Sequence, residues 1–238
     1  VESHLLELDS VFKNFQNTSK ILKWTENNNY LAYLLTDQGL QTTPVVSSVG
    51  MTYSGSNRYG SIKFNKSGDK LCSTLGKNGT FNGTTIELLD FDNATGIVSN
   101  PVVIADNAQA QMAYSSEFSP DGTKLYVTSY SFADGYIYQY DISSGASSTI
   151  MASKNTIVAS DKCNVLQIGP DDKIYISRYG SYSLGVISNP NNAGANCNYS
   201  SNGVALSFGS TAQTPFNGYY VFLVQDGDIV NIDVTAII

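Results

Sequence analysis

The feature that most constrains the fold is a segment that occurs three times along the chain. Each copy has an apolar residue, a short polar turn, a lysine and then alternating apolar residues. The copies begin at Phe64, Phe118 and Ile168, so successive copies are 54 and then 50 residues apart. Periods of about 40–50 residues, built from several short strands, are typical of β-propeller blades.

The second copy shows why this segment predicts a β-hairpin. Pro120 presets φ at the first central position of the turn, and Asp121-Gly122 supplies the polar and left-handed positions. The strand pattern then restarts over residues 125–128, and another strand with aromatic alternation follows over residues 135–142. Two hairpins and a polar connector therefore predict one four-stranded blade per repeat.

The repeats define the domain organisation. We interpret residues 1–238 as a single all-β domain, either a β-propeller of four to five blades of about 50 residues or an arc of a larger propeller. An arc would leave unpaired edge strands that need a cover or a partner. The segments assigned to blades are three clear repeats at about 60–110, 111–160 and 161–200, and degenerate flanks at 20–46 and 203–238.

Composition and charge exclude several classes of protein. Charged residues make up 14% of the chain, against roughly 25% in an ordinary soluble domain. Thirteen basic against twenty acidic residues argue against binding to nucleic acid, which needs clustered Lys and Arg. No window approaches the ~18 uninterrupted apolar residues of a membrane span. Sixteen Tyr and ten Phe argue against disorder, because they can bury a large apolar area.

Two levels of family resemblance follow from these segments. Residues 118–127 resemble the strand-turn-strand unit of WD-like propellers of the YVTN type. Residues 88–101, 166–175 and 185–191 resemble large secreted proteins of the Bacteroidetes that carry a gliding-motility-associated C-terminal sorting domain. The resemblance covers about residues 20–205 and implies a propeller that the type IX secretion route exports to the cell surface or the medium.

We therefore expect a non-catalytic extracellular interaction or structural module of a secreted or cell-surface bacterial protein. It would be type IX secretion cargo or a subunit of a surface assembly, with a protein or glycan partner and a role such as adhesion. The one histidine, His4, lies outside the repeats, so no Ser-His-Asp set can form among them. No catalytic, cofactor-binding or metal-binding residue is assigned on this interpretation.

Tyrosines are the candidates for contact with a partner. Strand alternation predicts that about half of them pack between blades, and the remainder would form an amphipathic surface of low charge. The tyrosines that crowd the second and third repeats are Tyr130, Tyr136, Tyr138, Tyr140, Tyr179 and Tyr182.

The alternative is a calcium-dependent propeller hydrolase similar to lactonases, which would place carboxylate and amide side chains around a central channel. Glu117 precedes Phe118 on the predicted inner strand and could face that channel, and Asn65 and Gln167 flank comparable positions. The other glutamates on which such a site could draw are Glu26 and Glu87.

The cluster Asp90, Asp92 and Asn93 before Gly96 superficially resembles a calcium loop. It lacks the further ligands and the closing glutamate, so a turn that ends a strand is the preferred interpretation.

The three cysteines cannot all pair within one chain. Cys163 and Cys197 lie in consecutive strand-rich segments, and we expect a disulfide between them if the protein is secreted. Cys72 lies in an alternating apolar run and is interpreted as a small core residue.

Overall fold

The fold is all-β, as the repeats predict. The computed structural model describes residues 18–23, 27–36, 38–52, 61–75, 85–105, 113–129, 135–207 and 211. The strands in these ranges form four antiparallel sheets of four strands each. The propeller fold class and the four-stranded blade are therefore confirmed.

We number the sheets as blades in chain order. Blade 1 contains β1 (Thr18–Lys23), β2 (Asn29–Thr36), β3 (Gly39–Leu40) and β4 (Val45–Ser48). Blade 2 contains β5 (Ile62–Phe64), β6 (Lys70–Leu75), β7 (Thr85–Asp92) and β8 (Ile97–Ala105). Blade 3 contains β9 (Ala113–Phe118), β10 (Lys124–Ser129), β11 (Gly135–Asp141) and β12 (Asn155–Asp161). Blade 4 contains β13 (Cys163–Ile168), β14 (Ile174–Arg178), β15 (Ser183–Ile187) and β16 (Tyr199–Ala205).

Blades 2, 3 and 4 are simple meanders in which each strand pairs with the next. In blade 1, β2 pairs with β1 along one edge and with both β3 and β4 along the other. The helices in the described ranges are α1 (Ser147–Ala152) and a 3-10 turn (Gly194–Cys197), and neither is long or apolar enough to cross a membrane. Nearly all of the predicted flank at 203–238 lies outside the described residues.

The three repeat turns have the same hydrogen-bonded form. In each, the residue after the inner strand donates its backbone N–H to the carbonyl of the repeat lysine, at 3.0, 2.9 and 2.8 Å in blades 2, 3 and 4. Gly68 and Gly122 take the left-handed position with φ of 72° and 70°. The third turn is one residue shorter and has Asp172 at that position, with φ of 59°. Asp is among the few residues other than Gly that enter this region at modest cost.

Hydrophobic clusters lie between successive blades. In β10, all six residues are buried, because this strand contacts a neighbouring blade on each face. Leu125 and Val127 face the cluster shared with blade 2, whereas Tyr126 faces the cluster shared with blade 4. This alternation follows from the two-residue period of a strand. A third cluster, which includes Tyr30, Leu71 and Phe91, joins blades 1 and 2.

Candidate functional site

A polar cluster joins the first strands of blades 2, 3 and 4. Lys63, Glu117 and Gln167 are each the penultimate residue of β5, β9 and β13, one position before the apolar residue that begins the repeat. The repeat therefore places one polar side chain per blade at the same height, and we name these three residues the inner cluster. Two of its members were predicted from the sequence, and Lys63 was missed although the same alignment identifies it.

Short contacts connect the inner cluster across three blades. Lys63 Nζ donates to Glu117 Oε2 at 3.1 Å and to Gln167 Oε1 at 2.7 Å. The backbone N–H of Ile168 also donates to Glu117 Oε2, at 3.0 Å, and that of Phe118 donates to Oε1 at 3.2 Å. The side chain of Glu117 is only 3% exposed and that of Lys63 13%. The Glu117 carboxylate thus accepts one charged and two backbone donors in a nearly dry environment.

This pattern of contacts suits a structural joint between blades. A buried carboxylate is tolerated when it is paired and hydrogen-bonded, and here each oxygen has a donor. Each oxygen of the Glu117 carboxylate already accepts at least one N–H donor. No group of three or more His, Cys, Asp or Glu side chains within the described ranges is arranged to hold a metal ion.

The other candidates for a calcium site lie apart from the inner cluster. Asn65 is in the first repeat turn, where its side chain bonds Ser67 and Asp69. Glu87 is buried on β7 and accepts the backbone N–H of Met51 at 2.9 Å. Glu26 and His4 lie outside the described residues. Among the described candidates, the structure therefore brings together Glu117 and Gln167, whereas the side chains of Asn65 and Glu87 have other partners.

The aspartates near Gly96 form a turn, as expected. Asp92 Oδ1 accepts the backbone N–H of Ala94 at 2.9 Å, the pattern of an Asx turn. Hydrogen bonds from Thr95 and from this backbone N–H lower the pKa of Asp92. Asp90 instead pairs with Lys70 on the adjacent strand, at 2.7 Å.

Below the inner cluster, hydroxyl groups repeat in the same register. In blades 2, 3 and 4, a Ser or Thr side chain on the second strand accepts a backbone N–H from the first strand or from the residue just before it. The pairs are Ser61 with Thr74, Ser115 with Thr128, and Val165 with Ser177. Ser61 Oγ and Ser115 Oγ each accept an N–H from the following blade, at 3.2 and 3.1 Å. Sequence reasoning missed these contacts, although the hydroxyls occupy matching repeat positions. They set the spacing between blades that brings the inner cluster together.

The tyrosines divide into buried and exposed sets. Tyr138 and Tyr140 are buried and Tyr136 is half-buried, whereas Tyr179 is 48% and Tyr182 69% exposed. The exposed pair lies on the turn between β14 and β15, which we name the tyrosine turn (residues 179–182). Tyr130 lies outside the described residues.

The backbone holds the tyrosine turn at both ends. The N–H of Tyr179 donates to the carbonyl of Lys162 at 3.0 Å, and the carbonyl of Tyr182 accepts the N–H of Leu206 at 2.8 Å. Ser181 closes the turn through its own N–H, which bonds the carbonyl of Arg178 at 2.9 Å. The turn is thus tied to the segment before β13 and to the end of β16.

An ion pair beneath the turn adds rigidity. Arg178 Nε and Nη2 both donate to the carboxylate of Asp161, with distances between 2.8 and 3.1 Å. Arg178 Nη1 reaches upward to Ser181 Oγ at 3.0 Å. Burial alone would raise the pKa of Asp161, but the bonds from Arg178 and Tyr199 outweigh it and lower that pKa. The same carboxylate raises the pKa of Arg178, so both groups stay charged at neutral pH.

The three cysteines are buried, free thiols. Cys163 and Cys197 belong to the same hydrophobic cluster between blades 3 and 4. Burial raises the pKa of Cys72 and of Cys163 to about 12, and it also raises that of Cys197. Such thiols are weak nucleophiles, because the thiolate is the reactive form. The disulfide between Cys163 and Cys197 is not formed in this structure and stays a prediction.

No protein-family model and no curated protein significantly matches the chain. Solved structures that match include the periplasmic gluconolactonase PpgL of Pseudomonas aeruginosa, with 13% identity, a TM-score of 0.47, and coverage of 72% of this chain and 50% of that one. TolB of Acinetobacter baumannii matches with 16% identity, a TM-score of 0.45, and coverage of 78% and 44%. The Dos1 propeller matches with 12% identity, a TM-score of 0.39, and coverage of 71% and 41%. The chain spans half or less of the length of these three structures.

Proposed function

We propose that the chain is a non-catalytic, extracellular interaction module of a secreted or cell-surface bacterial protein. The resemblance to exported proteins of the Bacteroidetes supports delivery by type IX secretion, as free cargo or as part of a surface assembly. The observation that carries the proposal is the tyrosine turn, which presents two exposed aromatic rings on a fixed backbone. Its partner would be a protein or a glycan at the cell surface.

Ordering a binding surface costs conformational entropy, and the tyrosine turn has little left to lose. A tyrosine offers a large amphipathic area with only two side-chain torsions, and a fixed backbone removes most of the loop entropy that binding would otherwise cost. Tyr179 and Tyr182 have that arrangement, since backbone bonds at both ends and the Arg178 guanidinium hold the turn. Gly180 and Ser181 lie between the rings and add polar groups without charge. Such a surface suits sugar rings or a low-charge protein face.

The inner cluster supports a structural role for the centre of the blades. Its one carboxylate, that of Glu117, is occupied by Lys63 and two backbone N–H groups. A calcium-dependent hydrolase would need those oxygens for the ion. The position of Glu117 on an inner strand is the observation that favours this second candidate.

Binding to intact Bacteroidetes cells tests the first proposal. Fluorescently labelled wild-type chain should bind in a saturable manner by flow cytometry, and the double variant Tyr179→Ser, Tyr182→Ser should bind at least about tenfold more weakly, a loss of about 1.4 kcal/mol. The matched control is Val46→Ser with Ile97→Ser, which removes two residues that are 53% and 48% exposed but lie on blades 1 and 2. Equal binding by all three proteins would contradict the proposal.

A lactone-hydrolysis assay distinguishes the second candidate, a calcium-dependent hydrolase, from the interaction module. Calcium-dependent turnover that EDTA abolishes and that Glu117→Gln removes would establish the enzyme. The interaction module predicts no turnover above the buffer rate, with or without calcium.

A further inference from the structure

The inner cluster combines an amine, a carboxamide and a carboxylate, of which the carboxylate belongs to a buried residue and the other two groups to half-buried residues. The amine of Lys63 lies 2.7 Å from the carboxamide oxygen of Gln167 and 3.1 Å from the carboxylate of Glu117. These are the groups that an intramolecular amide exchange requires, namely a nucleophile, an acyl group and a proton carrier. We propose that Lys63 and Gln167 become joined by a covalent amide bond, with Glu117 carrying the proton.

The three residues are held from three different strands, so their approach does not depend on one flexible loop. Lys63 is on β5, Glu117 on β9 and Gln167 on β13. Glu117 is fixed further by the N–H groups of Phe118 and Ile168. The carboxamide nitrogen of Gln167 donates to the carbonyl of Ile168 at 3.2 Å. This bond leaves the carboxamide oxygen of Gln167 facing Lys63. This convergence raises the effective concentration of amine at the acyl carbon.

The reaction balances without an added reactant. The Lys63 ammonium passes one proton to Glu117 Oε2, and the neutral Nζ attacks Cδ of Gln167. The bond between Nζ and Cδ forms, and the bond between Cδ and Nε2 breaks. Glu117 returns its proton to Nε2, together with a second proton from Nζ, so ammonium leaves. The protein loses the elements of ammonia, about 17 Da, and one positive charge at neutral pH.

Lys63 and Glu117 are already in contact and largely shielded from solvent. Their closest atoms are 3.1 Å apart, and the Glu117 side chain is 3% and the Lys63 side chain 13% exposed. The proton transfer that starts this sequence therefore needs no large movement of either side chain. One event per molecule suffices, and the bond then persists.

The product would be a staple between blades 2 and 4 that passes over blade 3. It would join residues 104 positions apart in the chain. A cross-link that closes so long a loop restricts the unfolded chain strongly.

The test is the intact mass of the full chain after folding and incubation at neutral pH. The proposal predicts a mass about 17 Da below that of the sequence. Digestion with trypsin should yield one branched peptide that links Lys63 to Gln167, with no cleavage after Lys63. Lys63→Arg keeps the positive charge but should show the full sequence mass, whereas the control Lys66→Arg should keep the deficit. Lys66 is a suitable control because it pairs with the exposed Asp172 in a neighbouring turn.

Peptide mapping also distinguishes the cross-link from succinimide formation, which removes ammonia at Asn-Gly pairs. The pairs in this chain begin at Asn78, Asn82, Asn202 and Asn217. A deficit that persists in Lys63→Arg, or that maps to one of these pairs, would overturn the proposal. So would a folded wild-type chain that yields only linear peptides with free Lys63 and Gln167. Glu117→Gln removes the proton carrier and should leave the two residues unlinked, with a native circular dichroism spectrum as the check on folding.

Discussion

The ion pair between Arg178 and Asp161 should contribute far more to stability than an exposed pair of the same length. Both side chains are 16% exposed and their closest contact is 2.8 Å, whereas Lys70 and Asp90 meet at 2.7 Å with 48% and 43% exposed. Arg178 bonds the carboxylate through two nitrogens, and such charge-assisted bonds contribute about 1.5–3 kcal/mol. Exposed pairs contribute about 0.2–1 kcal/mol, since water and salt screen them.

Two double-mutant cycles measure this difference. The first uses Arg178→Met and Asp161→Asn, and the second uses Lys70→Met and Asp90→Asn. We expect a coupling energy of about 2–3 kcal/mol in the first cycle and below about 1 kcal/mol in the second.

Arg178→Met alone should lower the free energy of unfolding by about 2–4 kcal/mol. Among the described residues, the donors that would remain on the Asp161 carboxylate are the Tyr199 hydroxyl and the Lys162 N–H. Urea unfolding of the full chain is the assay, and the midpoint of Arg178→Met should fall by about 1 M. Equal coupling in the two cycles would refute the reasoning that burial decides the strength of these pairs.

Three further predictions concern Asp141, Gln139 and the repeat turns. Bonds from the Ser143 hydroxyl and from a lysine on the neighbouring strand lower the pKa of Asp141 to about 2 from a usual value of 3.8, so its stabilisation is present above pH 4 and is lost as the pH falls toward 2. Asp141 is 45% exposed, so Asp141→Asn should lower the free energy of unfolding by less than about 1 kcal/mol at pH 6 and by a smaller amount at pH 2, where Asp141 is about half protonated. A constant difference in unfolding free energy across that range would contradict this. Gln139 is 3% exposed and hydrogen-bonds the backbone of the loop after β15. Gln139→Leu should therefore lower the free energy of unfolding, measured by thermal denaturation, by about 2–4 kcal/mol. A loss below about 1 kcal/mol would show that these bonds do not hold the loop in place. Gly122→Ala should lower the free energy of unfolding by about 1 kcal/mol because φ of Gly122 is 70°, whereas Asp172→Gly at the matching turn should be neutral or stabilising. A larger loss of stability in Asp172→Gly than in Gly122→Ala would contradict the argument from backbone conformation.

The repeats made the fold predictable because each one combines residues typical of a turn with alternating apolar residues typical of a strand. Pro120 and Gly122 fix the hairpin locally, and the alternation after Leu125 can be satisfied only by a strand. The shorter third turn was recognised by the same lysine and apolar pattern, even though Asp172 replaces glycine. The tyrosines on β11 could not be divided between faces from sequence, because both faces of blade 3 are buried.

The inner cluster was only partly predictable. The position of Glu117 before Phe118 indicated an inward side chain, and Gln167 followed from the same register. The contacts of Lys63 with Glu117 and Gln167 depend on the distance between blades. Packing sets that distance, and no local sequence pattern encodes it. Asn65 was expected near the cluster, but it is one residue further along and its side chain bonds within the turn.

The exposure of Tyr179 and Tyr182 was only partly predictable from the sequence. The two residues flank Gly180-Ser181, a pair typical of a turn, whereas the tyrosines of β11 alternate with other strand residues. They lie at the ends of the short connection between β14 and β15. The anchoring by Arg178 depends on Asp161 in the preceding blade, a contact between residues 17 positions apart.

The most direct test of the account is a crystal structure of the full chain grown in millimolar calcium. The account predicts that Glu117 keeps its contacts with Lys63 and with the backbone of Phe118 and Ile168, and that the tyrosine turn is well ordered with both rings exposed. A calcium ion ligated by Glu117, with Lys63 displaced from the carboxylate, would contradict the structural role of the inner cluster and would make the chain a candidate hydrolase.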